Sequence, residues 1–270
     1  MVLGLRQSAY YKWVNRAAER LEKIRDHVEL VKKVRKVFDD NEQVYGYRKM
    51  REKLIQEGIE LSSYSVRRIM KQNGMYPVVV KKYKPTHNGK HDGRFLDDLL
   101  KQNFSISAPN KVWAGDITYI RTKLGFVYLA VVLDLYNKEI IGYSVSKSID
   151  TELVKTALGN AVIRSGKRHE KTIFHSDRGC QYASKSFQAM LEQFNLTGSM
   201  SRPACPYDNA CAESFFSTAK RECIYRKANA NMDDVKMDLF RCIELFYNRK
   251  RIHSSLGYMS PVDYKLKYAA

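Results

Sequence analysis

Residues 112–147 read VWAGDITYIRTKLGFVYLAVVLDLYNKEIIGYSVSK, and their pattern decides the fold class. VWAGDITYIRT alternates and is rich in β-branched and aromatic residues, which predicts a strand. KLG supplies a turn. FVYLAVVLDL is almost wholly apolar, so it predicts a strand covered on both faces and central in its sheet. YNKE turns again, and IIGYSVSK predicts a third strand. Working downstream, residues 150–165 predict a helix stopped at Gly166. TIFHS (172–176) predicts a short strand, Ser184–Asn195 a helix, and the stretch around Gly198–Ser201 an extended piece. Beyond a loop with prolines, helices are predicted from about Asn209 to Tyr225 and from about Asn231 to Arg249.

Three hairpin-linked strands followed by alternating helix and strand is the order of a ribonuclease-H-like α/β fold, a mixed sheet flanked by helices. Upstream the pattern is helical. Residues 10–40 have few breakers, and Leu30, Val31, Val34, Val37 and Phe38 mark one buried face. YGYRKMREKLIQEGIELSSYSVRRIMKQNGM (45–75) predicts two short helices. Tyr47, Met50 and Leu54 form the stripe of the first, which Gly58 closes. Ser62 or Ser63 caps the second, which turns Val66, Ile69 and Met70 inward and ends at Gly74. With Arg67, Arg68 and Lys71 outward, the pair reads as a helix-turn-helix or as a hairpin with solvated charges. The domain limits read from the sequence are a helical DNA-binding region over 1–80, a basic linker over 81–107, a catalytic core over 108–230 and a helical extension over 231–270.

The chain has 270 residues and a formal net charge of +18, with 47 basic against 29 acidic side chains. The excess is spread along it, at 23 against 13 in residues 1–110 and 24 against 16 in 111–270. Such a balance favours polyanionic partners, nucleic acid first. No run approaches a membrane span, and no secretory signal opens the chain, so a cytoplasmic protein is expected. The cysteines Cys180, Cys205, Cys211, Cys223 and Cys242 form no CxxC pair and are expected as thiols. His87 and His91 lack the cysteine pair of a zinc finger.

Metal-dependent phosphodiester chemistry needs several carboxylates on one site. Asp116, Asp177 and Glu213 are the candidates, with 35 residues between the last two. Spacing alone selects nothing: Asp116 to Glu152, Asp134 to Glu170 and Asp208 to Glu244 share it. Context selects. Asp116 interrupts a β-rich run, and Asp177 ends a strand, where sites gather in open α/β sheets. Glu213 shares a helical stripe with Ser217 and Lys220, beside the apolar face of Ala212, Phe216, Ala219 and Cys223. Glu152 fits the first turn of a helix, Glu170 a polar loop, and Glu244 the exposed side of its helix.

The runs VWAGDITYI, FHSDRGCQYAS and PYDNACAESFFSTAKRE resemble, in order, the acidic motifs of bacterial insertion-sequence transposases of the two-reading-frame kind. The second frame of that family (OrfB) carries a retroviral-integrase-like DDE domain. YGYRKM resembles the family's helix-turn-helix, and FYNRKRIHSSLGYMSPVDY its C-terminal signature; the resemblance spans roughly residues 8–267. It implies that Asp116, Asp177 and Glu213 bind metal and catalyse, with Mg²⁺, or Mn²⁺ in its place, as two ions. It implies cleavage at transposon ends and strand transfer on double-stranded DNA, by a homo-oligomer on that DNA. It implies Lys220 as a contact to terminal DNA. Arg67, Arg68 and Lys71, outward on the second short helix, are candidate DNA-binding residues, and Arg251 is a candidate that either contacts DNA or buttresses the site. Arg249 and His253 either contact DNA or buttress the site. Asp134 belongs to a turn, His175 to packing and Trp113 to the core. The first-frame (OrfA) product, separate or fused, is an implied partner. The alternative function is a partner-dependent or non-catalytic regulator of transposition.

Overall fold

The structure is a computed structural model and describes residues 6–78, 96–100, 106–166, 171–202, 210–226 and 228–269. Residues 1–78 and 79–270 form two compact units. Most of the expected basic linker, with His87 and His91, and also Glu170, Cys205 and Asp208 lie outside the described residues.

The first unit is helical: α1 (Gln7–Asn15), α2 (Ala17–Asp40), α3 (Tyr47–Gln56) and α4 (Ser63–Gln72). The single helix expected over 10–40 is broken at Arg16, whose backbone leaves the helical region at φ −92° and ψ 9°. Val34, Val37 and Phe38 are buried as the periodicity requires, with Met50 and Leu54 from α3 and Val66, Ile69 and Met70 from α4. Ser62 caps α4, its side-chain oxygen accepting from the Ser65 amide at 3.1 Å. The Arg35 guanidinium donates to the Asn73 carbonyl and so ties α2 to the end of α4.

The second unit is built on a five-stranded mixed sheet in the order β3-β2-β1-β4-β5. Its strands are β1 (Val112–Thr122), β2 (Gly125–Asp134), β3 (Ile140–Ser146), β4 (Thr172–Ser176) and β5 (Leu196–Met200). The first three form antiparallel hairpins. β4 lies parallel to β1, and β5 parallel to β4. The apolar run of β2 is covered on both sides, as its composition requires. Leu129, Val131 and Leu133 face one core, and Ala130 and Val132 the other.

Helices α5 (Thr151–Ser165), α6 (Cys180–Ala183) and α7 (Lys185–Gln193) cover one face. Gly142 of β3 lets α5 approach, since a Cβ there would stand 2.2 Å from the Ala157 carbonyl oxygen. The other face takes α8 (Ala210–Glu222), α9 (Met232–Phe240) and the segments that follow each. Two helix ends differ from expectation. α8 stops at Glu222, and a 3-10 turn over Ile224–Arg226 buries Ile224. α9 passes into a π-helical segment, Arg241–Tyr247. Its buried residues Cys242, Ile243, Phe246 and Tyr247 share a face in either helix type, so periodicity does not tell the two apart. The last helix is α10 (Pro261–Tyr268). No helix among the described residues is long and apolar enough to cross a membrane.

Candidate active site

Asp116 lies in the central strand, and its alternation places it. Val112, Ala114 and Ile120 face the core that holds Phe215 and Phe216 of α8, whereas Trp113 faces the opposite core. By the two-residue period Asp116 therefore points to the α8 side of β1. The parallel register ends at the pair Gly115–Ser176, so Asp116 is the next residue of β1 and Asp177 the first residue beyond the end of β4. Strands so paired lie about 4.8 Å apart. Gly115 has its own reason to be glycine: a Cβ would stand 2.4 Å from the Phe174 ring of β4. A larger residue there would push apart the strands that carry the two carboxylates.

Asp116 is half-buried, and its Oδ1 accepts from the Ile117 amide at 2.7 Å. Burial pushes its carboxyl well above the usual range, and the neighbouring Asp177 adds to this; the Ile117 amide and Lys220 oppose it, while Glu213 contributes further upward pressure. Asp177 is exposed, and its Oδ1 accepts from the Gly179 amide at 3.0 Å in the turn that leads to α6. Tyr182 of α6 is buried, and its phenol is pushed well up by burial and then by the charges of Asp116 and Asp177. Its run, DRGCQYAS, was legible; the tyrosine's depth against the acids was not.

Glu213 is exposed in the first turn of α8, and Lys220 is half-buried in the last. The Lys220 ammonium donates to Thr118 Oγ1 at 2.7 Å and lies 4.7 Å from the Tyr119 ring centroid. The stripe it shares with Glu213, beside the apolar face of α8, thus reaches the sheet at Thr118. Burial lowers its pKa to about 8, opposed by Asp116. Among the described residues no three His, Cys, Asp or Glu side chains form a ready-made metal group. An open groove of about 430 Å³ beside α8 takes in Glu213, Ser217, Arg221 and Arg251 but neither aspartate.

The rival carboxylates are occupied elsewhere. Glu152 pairs with Lys155 at 2.6 Å in the first turn of α5, whose cap is Asp150. Glu244 is not an exposed helix residue; it forms a two-pronged pair with Arg164 at 2.7 and 2.9 Å. Asp134 is fully buried, with Oδ2 accepting from the Asn110 amide at 2.8 Å and Oδ1 from the Tyr136 amide at 3.0 Å. It shapes the turn after β2, as its strand-end position suggested. His175 is buried, with Nδ1 2.9 Å from Ser199 Oγ.

Asp134 carries a pH signature. Burial raises its pKa from 3.8 to about 6, against the two amide bonds. Between these values the folded chain holds more protons than the unfolded chain, so this group's contribution to stability falls as pH rises from about 4 to about 6. Asp134→Asn should lack that slope. It also supplies one acceptor for two amides, so at pH 4 it should be less stable than the parent by about 1–3 kcal/mol. Its deficit should shrink by up to about 3 kcal/mol as pH rises to 6 and above. Urea midpoints across pH 4–7 measure this; parallel profiles for parent and variant would contradict it.

Of the two roles open to Arg251, the structure shows the buttress. It is 9% exposed, and its Nε and Nη2 donate to Glu222 Oε2 and Oε1 at 2.7 and 2.8 Å. A buried guanidinium in a bidentate ion pair is a brace, not an open phosphate contact. Its neighbours extend that brace. The Tyr247 ring stacks edge-on against both Phe215 of α8 and His253, at 4.8 and 4.9 Å. The fully buried Asn248 donates to the Ile140 carbonyl at 2.9 Å and accepts from the Ile140 amide at 3.0 Å, extending the start of β3. A correction concerns the thiols. Cys223 and Cys242 are joined as a disulfide, their Cα atoms 5.9 Å apart on neighbouring segments. In the first unit, Arg67, Arg68 and Lys71 are all exposed on α4, as expected.

Residues 106–206 match the family model described as "Integrase core domain", residues 195–261 a second model of that description, and residues 25–83 an "HTH-like domain". The chain is 37% identical over 271 aligned residues to transposase InsF of insertion sequence IS3A from Escherichia coli K12, covering 100% of this chain and 93% of that relative. The chain belongs to the IS3-type insertion-sequence transposases. This transposase is also 35% identical over 267 residues to an uncharacterized 31 kDa protein of insertion element IS600 from Shigella sonnei, covering 99% and 97% of the two chains. Among solved structures it resembles a chain of the simian T-cell lymphotropic virus intasome complex, with a TM-score of 0.52 at 17% identity, covering 82% of this chain and 71% of that one. That likeness is one of fold, and the mixed sheet with flanking helices is the ribonuclease-H-like fold of integrase catalytic cores.

Proposed function

We propose that this transposase cleaves DNA at transposon ends and transfers the freed strand, with Asp116, Asp177 and Glu213 as its catalytic carboxylates. The observation that carries the reading is that Asp116 and Asp177 each follow the last paired residues of the parallel β1–β4 register, with Asp177, Glu213 and Lys220 all acting on the Asp116 carboxyl. Carboxylate oxygens are the donors that Mg²⁺ prefers, and a divalent ion offsets the mutual repulsion of such a set. The donor chemistry therefore fits Mg²⁺, with Mn²⁺ as a substitute. Bound metal at this site supplies activation of the attacking oxygen and stabilisation of the leaving oxygen.

The chain's own residues do the holding. Asp116 is fixed by the Ile117 amide and Asp177 by the Gly179 amide, so both oxygens are oriented before substrate arrives. Glu213 stands two helical turns from Lys220, roughly 10 Å along α8. The ammonium of Lys220, beside Asp116, is placed to meet a DNA phosphate by leaving Thr118. Arg67, Arg68 and Lys71 form the proposed end-reading face, and 1–80, 81–107, 108–230 and 231–270 the working divisions of the chain. A homo-oligomer on DNA and the first-frame product are the proposed partners.

The test uses the full chain and a duplex carrying the transposon end. Cleavage and strand transfer should require Mg²⁺ or Mn²⁺ and cease with chelator. Arg67→Ala with Arg68→Ala should narrow the preference for ends over scrambled DNA, each lost base-edge contact being worth about 1–3 kcal/mol. Cleavage without divalent ions, or an unchanged preference in the double variant at fixed salt, would contradict the reading.

A further inference from the structure

α2 is long, yet only its last part is docked: Val34, Val37 and Phe38 are its buried residues, and α1 has none. Along the undocked part, Leu21 is 66% exposed, Ile24 60% and Val28 45%. Helices of this length gain most of their stability from packing an apolar face, and an isolated nine-residue helix such as α1 is marginal in water. The spacing of the exposed face is specific. The exposed Leu21, Ile24 and Val28, continued by the half-buried Ala17 and Val31 at either end, alternate steps of four and three, the a/d series of a coiled coil.

The residues flanking that seam are basic on both sides. Arg20 and His27 occupy the g positions and Arg25 and Lys32 the e positions, while Glu19, Glu22, Asp26 and Glu29 fall on the outer b and f positions. In a parallel pair of two copies, Arg20 would meet Arg25 of the other helix and His27 would meet Lys32. In an antiparallel pair, e would meet e and g would meet g, again basic against basic. Pairing with a second copy is therefore repelled where arginines and lysine meet, above all at Arg20 against Arg25, whereas acidic flanks are attracted. Arg20 is held at its place by the Trp13 ring, 4.2 Å from its guanidinium. The pair of Lys32 with Glu29, at 2.8 Å, is exposed on both sides and so readily exchanged.

We propose that this face of α2 is a docking surface for an acidic amphipathic helix of another chain, joined as a heterotypic coiled coil. The proposal stands apart from the reading of the carboxylate site. The probe is a designed helix of about four heptads with Leu at a and d and Glu at e and g; its control has Lys at e and g. The full chain should bind the Glu helix at least tenfold more tightly than the Lys helix. Leu21→Ser with Ile24→Ser should lose that binding at an unchanged melting temperature, because both side chains are exposed. Arg20→Glu with Arg25→Glu should reverse the preference. No binding of either helix, or equal binding of both, would overturn the proposal. So would concentration-dependent self-association that the serine variant abolishes, which would make the partner a second copy. Loss of DNA affinity in the serine variant, with Glu-helix binding intact, would overturn it in favour of nucleic acid.

Discussion

Arg251→Ala should lower the stability of the sheet-bearing unit by about 3–5 kcal/mol, the usual result of removing one partner of a buried ion pair. The Arg251 and Glu222 side chains are only 10% and 14% exposed, so the alanine variant leaves a carboxylate with little water and no counter-charge. It also removes the cation 5.9 Å from the centroid of the Tyr247 ring, which packs on Phe215 of α8. Arg251→Lys should recover part of the loss, since an ammonium restores charge but not the two-pronged geometry. Replacing both partners by apolar residues of similar size, Arg251→Met with Glu222→Leu, should recover more. Urea unfolding of the three variants checks the order. An unchanged midpoint for Arg251→Ala, with weakened DNA binding, would return this arginine to the DNA interface.

Asp177→Asn should abolish chemistry while leaving the fold intact. The substitution keeps size and shape, and the amide oxygen can still accept from the Gly179 amide. It removes one of two carboxylates that raise each other's cost of ionisation, so without metal the variant should be as stable as the parent or slightly more so. With metal, the missing anionic donor weakens the hold on at least one ion. Cleavage and strand transfer should fall by about 10²-fold or more, because positioned charge carries a large part of the barrier reduction. Metal-free DNA binding should persist, since lysine and arginine supply the phosphate contacts.

How much of this the sequence showed depends on the range of the interaction. The hairpins β1-β2-β3 were legible because strand periodicity and turn residues are local signals, and Asp116 because a charge inside such a run is conspicuous. That Asp177 would come beside it needed β4 to pair parallel with β1, a long-range choice that no local residue announces. The stripe of Glu213 and Lys220 was legible from helical spacing, but that it borders β1, where Thr118 receives the lysine, was not. The Arg251–Glu222 pair spans 29 positions and the Cys223–Cys242 bond spans 19, so neither leaves a motif. Glu244 read as exposed because its Arg164 partner comes from a different helix, 80 residues away.

The central claim is that Asp116, Asp177 and Glu213 act together on one phosphodiester, and strand transfer on transposon-end DNA tests it most directly. Asp116→Asn, Asp177→Asn and Glu213→Gln should be compared with Glu152→Gln, which shares the 35-residue spacing from Asp116 but sits exposed on the first turn of α5. The account predicts that each of the first three loses strand transfer in Mg²⁺ and Mn²⁺ while still binding DNA without metal, and that Glu152→Gln keeps near-parent activity. Near-parent strand transfer by Asp177→Asn, with activity lost in Glu152→Gln, would contradict it.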